Sequence, residues 1–465
     1  MNILRIIYRM LPFLAVALTI GFLGWLLSLH GTMGLLHVNA SFRLGFIIIL
    51  IAVILLAGLA VWQILLARKP GNRLVNWFIG PVVLLTVIEL IFPVAGILYL
   101  STPLSPPTEV PHPLLLLSDR ESEAGIPDVA VANYTATPTR EILTWGNGES
   151  DATLTENTAT KQHVFILTGL LPDTEYWYRI DDGILHHFAT PSIAGDTLHF
   201  AVASDAHFGA DTARNDLTVN ILENISNPKN EYDYFFSVGD LVEYGFSDTQ
   251  WETALKSLTP TISEIPVALI AGNHDTLFTG LARYEYFCYP SAIVSASGSP
   301  LWHRYDVGNV HFLCLDVEWS AESFTAEQAV WLEAQLKSIP EDDWKIVMQH
   351  GYCYASGSII NGWKWYDNPE TIDDITPLFE EYGVDMVFSG HVHQMELLQH
   401  SGVTYIIAGT FGGSPEREYT YKSPDSLWYA GDQYGFVDVT LDNNTAEIVF
   451  RDPAYQVLKS FTLNK

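Results

Sequence analysis

Three apolar runs in the first hundred residues, about 10–29, 44–67 and 78–100, constrain this chain most, because each approaches the ~20 residues a helix needs to cross a bilayer. A secretory leader has an apolar core of roughly 7–15 residues, so the length of the first run and the two that follow it favour three membrane spans. Arg5 and Arg9 precede the first run, and Arg68, Lys69 and Arg73 separate the second from the third, whereas the first loop carries only Arg43. Lys and Arg are enriched in cytoplasmic loops, which places the N-terminus and second loop inside. An odd number of spans then carries everything after Leu100 outside. The expectation is a multi-pass membrane protein with an extracytoplasmic body.

This partition accounts for a composition that otherwise conflicts with itself. The 465 residues have a formal net charge of −30, yet only 16% are charged and the mean hydropathy is +0.17; a globular chain normally has ~25% charged residues. Residues 1–100 hold one acid, Glu89, and six bases, a net of +5, and the remainder holds 52 acids and 17 bases, a net of −35. So acidic an exterior excludes nucleic acid as its partner, since binding a phosphate backbone needs a basic face. Disorder is excluded by the 48% hydrophobic content. Three cysteines, Cys288, Cys314 and Cys353, are too few for a disulfide scaffold.

Residues 101–124 open with Pro103, Pro106, Pro107, Pro111 and Pro113 and read as a stiff linker. From 125 to 192, short alternating segments with turn signals at Gly146-Asn147-Gly148 and Asp181-Asp182-Gly183 predict a small all-β sandwich. Its run Leu170-Leu171-Pro172-Asp173-Thr174-Glu175-Tyr176 resembles the tyrosine corner of fibronectin type III domains, where the tyrosine hydroxyl ties a strand corner to the backbone. From 196 to 465, apolar strands alternate with amphipathic helical stretches such as 213–225 and 325–339, the latter opened by a capping box from Thr325 to Gln328. This pattern predicts one large α/β domain, whose ligands should gather at the carboxyl ends of the strands.

Five predicted strands end in ligand-type residues: Asp205 and His207, Asp240, Asn273 with His274 and Asp275, His350, and finally His391 and His393. One histidine after a strand means little, but five strand ends in succession point to a metal site. Imidazole, carboxylate and one amide oxygen suit divalent Mn, Fe or Zn better than Ca.

The succession Asp-x-His, Gly-Asp, Gly-Asn-His-Asp, a distant His and Gly-His-x-His resembles the signature of the calcineurin-like metallophosphoesterase superfamily, over about 198–451. The resemblance implies an α/β fold in which a β-sandwich is flanked by helices, with two divalent metal ions. It implies that Asp205, His207 and His393 bind one ion, that Asn273, His350 and His391 bind the other, and that Asp240 bridges them. His274 would stand beside the leaving group, with Asp275 orienting its imidazole. Phosphate mono- or diesters would then be hydrolysed by metal-bridged hydroxide attack.

A β-sandwich before such a domain is similar to the layout of purple acid phosphatases. Those enzymes, however, use Asp-x-Gly at the first motif and a tyrosine three residues after the bridging Asp, where this chain has His207 and Glu243, with Tyr244 one further on. Arg283 and Arg417 are candidate phosphate clamps, with pairing to surface acids as the competing reading. Cys353 reads as a packed small hydrophobe, and His303, His311 and His400, outside the matching strand ends, read as structural. The function expected is a membrane-anchored dinuclear-metal phosphoesterase acting on a small or lipid-linked phosphoester. The alternatives are a non-catalytic, metal-containing sensor or adhesion protein, which the complete ligand set opposes, and a lipid-linked pyrophosphate hydrolase.

Overall fold

The computed structural model describes residues 110–119, 125–193, 197–293, 297–360, 363–416 and 419–465, with 14, 16–22, 51, 54, 86, 87, 91 and 94. Apart from those scattered helical positions, the three expected membrane spans lie outside the described residues. No helix among the described residues is long and apolar enough to cross a membrane. The chain divides into two compact units, residues 1–103 with 277–279, and residues 104–276 with 280–465; the second contains every strand among the described residues.

Within that unit, Leu198–Ala203, Tyr234–Val238 and Val267–Ile270 run parallel at the centre of a nine-stranded sheet. Val310–Cys314, Trp344–Met348, Met386–Ser389 and Val403–Ala408 run parallel in a seven-stranded sheet. The strand sequences explain how the sheets pack. Leu198, Phe200 and Val202 alternate with Ala201 and Ala203, so the pleat sends the large side chains into the core between the sheets and the small ones under the helices. Phe312 meets Phe200 edge to face at 5.2 Å and Phe236 with rings tilted by 32° at 4.7 Å across that core; truncating so enclosed a ring to alanine costs about 3–5 kcal/mol. Helices Asn215–Ile225, Asp248–Ile262 and Gly280–Phe287 cover the outer face of the larger sheet, while Ala326–Ser338, Pro369–Asp374 and Thr376–Glu381 cover that of the smaller.

The capping box at Thr325 is only half formed. The Thr325 side chain accepts from the N–H of Gln328 at 3.2 Å, but the Gln328 side chain binds the main chain of Asp316 instead of returning to the helix start. It thereby fastens the helix to the end of a central strand.

The segment expected to be linker differs from expectation over Leu114–Ser118, a fully buried strand that pairs parallel with Val267–Ile270 and antiparallel with Asp128–Thr139. Four consecutive leucines need cover on both faces, which a central sheet position provides. Through this strand the expected sandwich is joined to the α/β core. Asp128–Thr139 and Thr160–Leu167 extend the nine-stranded sheet, and Ile142–Gly146, Asp151–Thr155, Thr174–Ile180 and His186–Thr190 form a separate four-stranded sheet. The two layers share one apolar cluster with the core strands, so 125–192 is not a free-standing body. Its tyrosine corner is present: the Tyr176 hydroxyl accepts from the N–H of Leu171 at 2.9 Å.

Candidate metal centre

The expected ligands converge because the backbone turns sharply where each strand ends. Asp205, His207, Asp240 and His391 have positive φ, at 63°, 48°, 52° and 69°. This left-handed region is sparse for residues other than glycine, although Asp and His enter it more readily than most, and each such residue stores about 1–3 kcal/mol that the surrounding fold must hold. Gly239, at φ 99°, lets the loops close: a Cβ there would lie 2.4 Å from Nδ1 of His350.

Asp205, His207 and His393 each bring one donor atom within 4.8 Å of the others, and Asp240, His350 and His391 form a second such group. Between them, Oδ2 of Asp240 stands 3.5 Å from Nε2 of His207 and 3.3 Å from Nε2 of His350. Oδ1 of Asn273 lies 2.9 Å from Nδ1 of His391, which adds it to the second group. Main-chain N–H groups hold both aspartates, with His391 donating to Asp205 at 3.0 Å and His274 to Asp240 at 2.8 Å.

The protonation pattern tests whether this pocket fits cations. Nδ1 of His207 donates to Glu243 at 2.9 Å and Nδ1 of His393 donates to the Ser414 carbonyl at 2.8 Å. In the neutral rings the two Nε2 atoms, 3.0 Å apart, therefore face each other as acceptors. Nδ1 of His350 likewise donates to the Val238 carbonyl at 2.8 Å, leaving Nε2 buried without a hydrogen bond. A buried lone pair with no donor, as at Nε2 of His350, is costly, and positive charge at the three Nε2 positions, from protons or from metal ions, removes that cost. Electrostatics agree. Burial opposes the Asp205 carboxylate, but His207 and His393 hold it well below the usual range; burial likewise opposes Asp240, which His350 and His274 hold low. Burial also acts to lower His207 and His350, yet Asp205 and Glu243 lift the first well above its usual value and Asp240 lifts the second to about 9. The carboxylates thus draw positive charge to the positions where two divalent ions would supply it, and the donor set suits Mn, Fe or Zn.

His274 is anchored through Nδ1, which donates to the main-chain carbonyl of Glu243 at 2.7 Å. Asp275 does not orient it, contrary to expectation. Its two carboxylate oxygens accept from the N–H groups of Val242 at 3.1 Å and Gly272 at 3.0 Å, so it ties two strand-end loops together. The two neighbours' side chains have separate partners, one on the metal-ligand side and one in the loop framework. Glu243 is the site residue that the motif reading missed: its carboxylate serves His207 and its carbonyl serves His274. Its only sequence signal is its place three residues after Asp240. The Tyr244 ring stacks on Phe246 at 5.6 Å. Arg283 is buried and donates to Asp248 at 2.7 Å, a structural pair and not a phosphate clamp, and Arg417 lies outside the described residues. Cys353 is buried, as expected for packing.

Two packed sheets flanked by helices, with carboxylate, imidazole and amide donors meeting at the strand ends, define a metallophosphoesterase fold. Residues 198–395 match the model of the family described as calcineurin-like phosphoesterase. Purple acid phosphatase 18 of Arabidopsis thaliana is 26% identical over 303 residues, covering 61% of this chain; the chain spans 66% of that relative, just under two thirds of its length. Among solved structures, the chain is similar to purple acid phosphatase PPD1 from yellow lupin seeds (TM-score 0.62, 19% identity, 76% of this chain and 74% of that one). It is also similar to PhoD (TM-score 0.60, 13% identity, 78% and 92%).

Proposed function

We propose that this chain is a metal-dependent phosphoric ester hydrolase with a dinuclear centre, acting on phosphate mono- or diesters. The observation that carries this reading is the pair of ligand groups with Asp240 between them, Asp205, His207 and His393 on one side, Asn273, His350 and His391 on the other. Two divalent ions held there would supply a strong nucleophile at neutral pH and neutralise the phosphoryl oxygens. The protein's own contribution is positional. The N–H groups of His391 and His274 fix the two aspartates, and the Glu243 carboxylate fixes His207. With Nδ1 of His274 held by the Glu243 carbonyl, Nε2 is left to donate a proton or hydrogen bond to the departing oxygen. His207 and Glu243 stand where purple acid phosphatases have glycine and tyrosine, which supports a tyrosine-free ligand set.

The same reading includes a membrane anchor formed by residues 1–100, with the phosphoesterase domain outside the cytoplasm. Its support is the three apolar runs, the placement of their flanking bases, and the exposure of Leu14, Ile20, Ile51, Ile54, Ile91 and Val94, each more than half exposed. The test is a panel of phosphate mono-, di- and pyrophosphate esters applied to the full chain loaded with Mn, Fe or Zn, with metal content measured on the same sample. Turnover with about two ions per chain is expected, and metal-replete protein inert on the whole panel would overturn the reading. A reporter fused after Lys465 should be extracytoplasmic; a cytoplasmic signal would remove the topology.

A further inference from the structure

We propose that Trp319 and Trp365 form a stacking surface beside the metal centre, selecting phosphate esters whose organic part carries a planar aromatic ring, such as a nucleobase or an aryl group. This rests on the phosphoesterase reading and adds a substrate class to it. The two indoles come from separate loops. Trp319 follows the strand Val310–Cys314, and Trp365 follows the short hairpin of Ile359–Ile360 with Trp363–Lys364. Their rings meet edge to face at 5.2 Å. Both approach the imidazole of His391, Trp319 edge-on at 4.2 Å and Trp365 nearly parallel, at 21° and 5.6 Å.

Holding His391 does not require two tryptophans, because Asn273 already engages its ring nitrogen and Asp205 its main-chain N–H. His391 is buried, whereas both tryptophans that touch it are only half-buried. Their positions are also built in. Asn368 donates to the Trp319 carbonyl at 3.2 Å, and the main-chain N–H of Trp365 donates to the Ser358 carbonyl at 3.0 Å. Any side chain at residue 357 would collide with the Trp365 carbonyl, since a Cβ on Gly357 would lie 1.8 Å from it. The Trp319 loop is joined to the His274 loop through Thr276, which donates to Glu318 at 2.8 Å, so the indoles and His274 adjoin the same centre. An aromatic group on the ester gains a stacking partner there that an alkyl group lacks.

The experiment compares adenosine 5′-monophosphate with ribose 5-phosphate, which share phosphate and sugar and differ only by the base. Steady-state KM and kcat are measured on the metal-loaded full chain, and binding of both compounds to the metal-free chain is followed by calorimetry. The expected result is a lower KM for the nucleotide. Trp319→Ala or Trp365→Ala should raise that KM about 10-fold relative to the ribose 5-phosphate KM, the order of one lost base-stacking contact, and Trp→Phe at either position should restore most of the effect. Equal KM values for the two esters, or variants that weaken both alike, would overturn the proposal and leave the indoles as packing around His391. If neither ester is turned over, the hydrolase reading is decided separately by the wider ester panel, and calorimetry decides the stacking surface: nucleotide preference lost in the alanine variants supports it, and no preference overturns it.

Discussion

The carboxylate of Glu243 lies 2.9 Å from Nδ1 of His207, so the imidazole of one expected metal ligand is held by an acid that is not itself a member of either ligand group around Asp205 or Asp240. Such outer partners set the tautomer and orientation of a ligating histidine, and their loss typically lowers metal affinity about 10–100-fold. Glu243→Gln should therefore weaken the group of Asp205, His207 and His393 by that factor while sparing the group of Asp240, His350 and His391. Calorimetric titration of the metal-free chain with Zn or Mn should resolve one weakened and one unchanged class of site. Two unchanged classes would remove this role.

His274 should separate chemistry from metal binding. Its Nδ1 is occupied by the Glu243 carbonyl, and its side chain belongs to neither group centred on Asp205 or Asp240. His274→Asn is expected to lower kcat by about 10²–10⁴, the usual contribution of a positioned proton donor, with the metal content of the wild type. Loss of metal alongside turnover would make His274 a structural residue instead.

Asp275 should behave as a brace. Removing its carboxylate leaves the buried N–H groups of Val242 and Gly272 without acceptors, at about 1–3 kcal/mol each. Asp275→Ala should consequently lose roughly 2–6 kcal/mol in urea unfolding. Because the Glu243 carbonyl anchors His274, the fraction that remains folded should keep most of its kcat; a catalytic loss as deep as that of His274→Asn would restore the orienting role.

His303 gives a pH dependence away from the metal centre. It is buried against Tyr289 and Tyr305, and burial pushes its pKa down to about 3. The unfolded chain, with histidine near 6.5, binds the extra proton between those values. Stability from this residue is thus unaffected at pH 7 and lost as pH falls from about 6.5 towards 3, by up to about 1.4 kcal/mol per pH unit. The unfolding free energies of wild type and His303→Phe should converge or cross as the pH is lowered from 7 to 4, since only the wild type carries this term. A pH-independent difference would show that His303 is not held neutral.

How much of this was legible beforehand depended on how local each feature is. The seven expected metal ligands stand within a few residues of apolar strands, and the two ligand groups form where those strands end. The tyrosine corner was legible for the same reason, its hydroxyl reaching only from Tyr176 to Leu171. Leu114–Ser118 was not, because its role comes from pairing Leu116 with Val267, far away in the chain. The partners of Asp275 and Gln328 were hidden differently: an adjacent acid or a capping pattern names a plausible local contact, but loops brought in by the sheets offered better ones.

The sequence by itself determined the alternation that makes each central strand two-faced, the ligand chemistry at the strand ends, and the contrast between an apolar, slightly basic first hundred residues and an acidic remainder. Those follow from side-chain hydropathy, charge and period, which act over a few residues. Only the tertiary structure decided that Glu243 rather than Asp275 serves the histidines, that Leu114–Ser118, Asp128–Thr139 and Thr160–Leu167 share a sheet with the core, and that Trp319 and Trp365 meet at His391. Each of these depends on which loops the packed sheets bring together and on the left-handed turns at Asp205, His207, Asp240 and His391, a backbone state that chain-distant contacts hold in place.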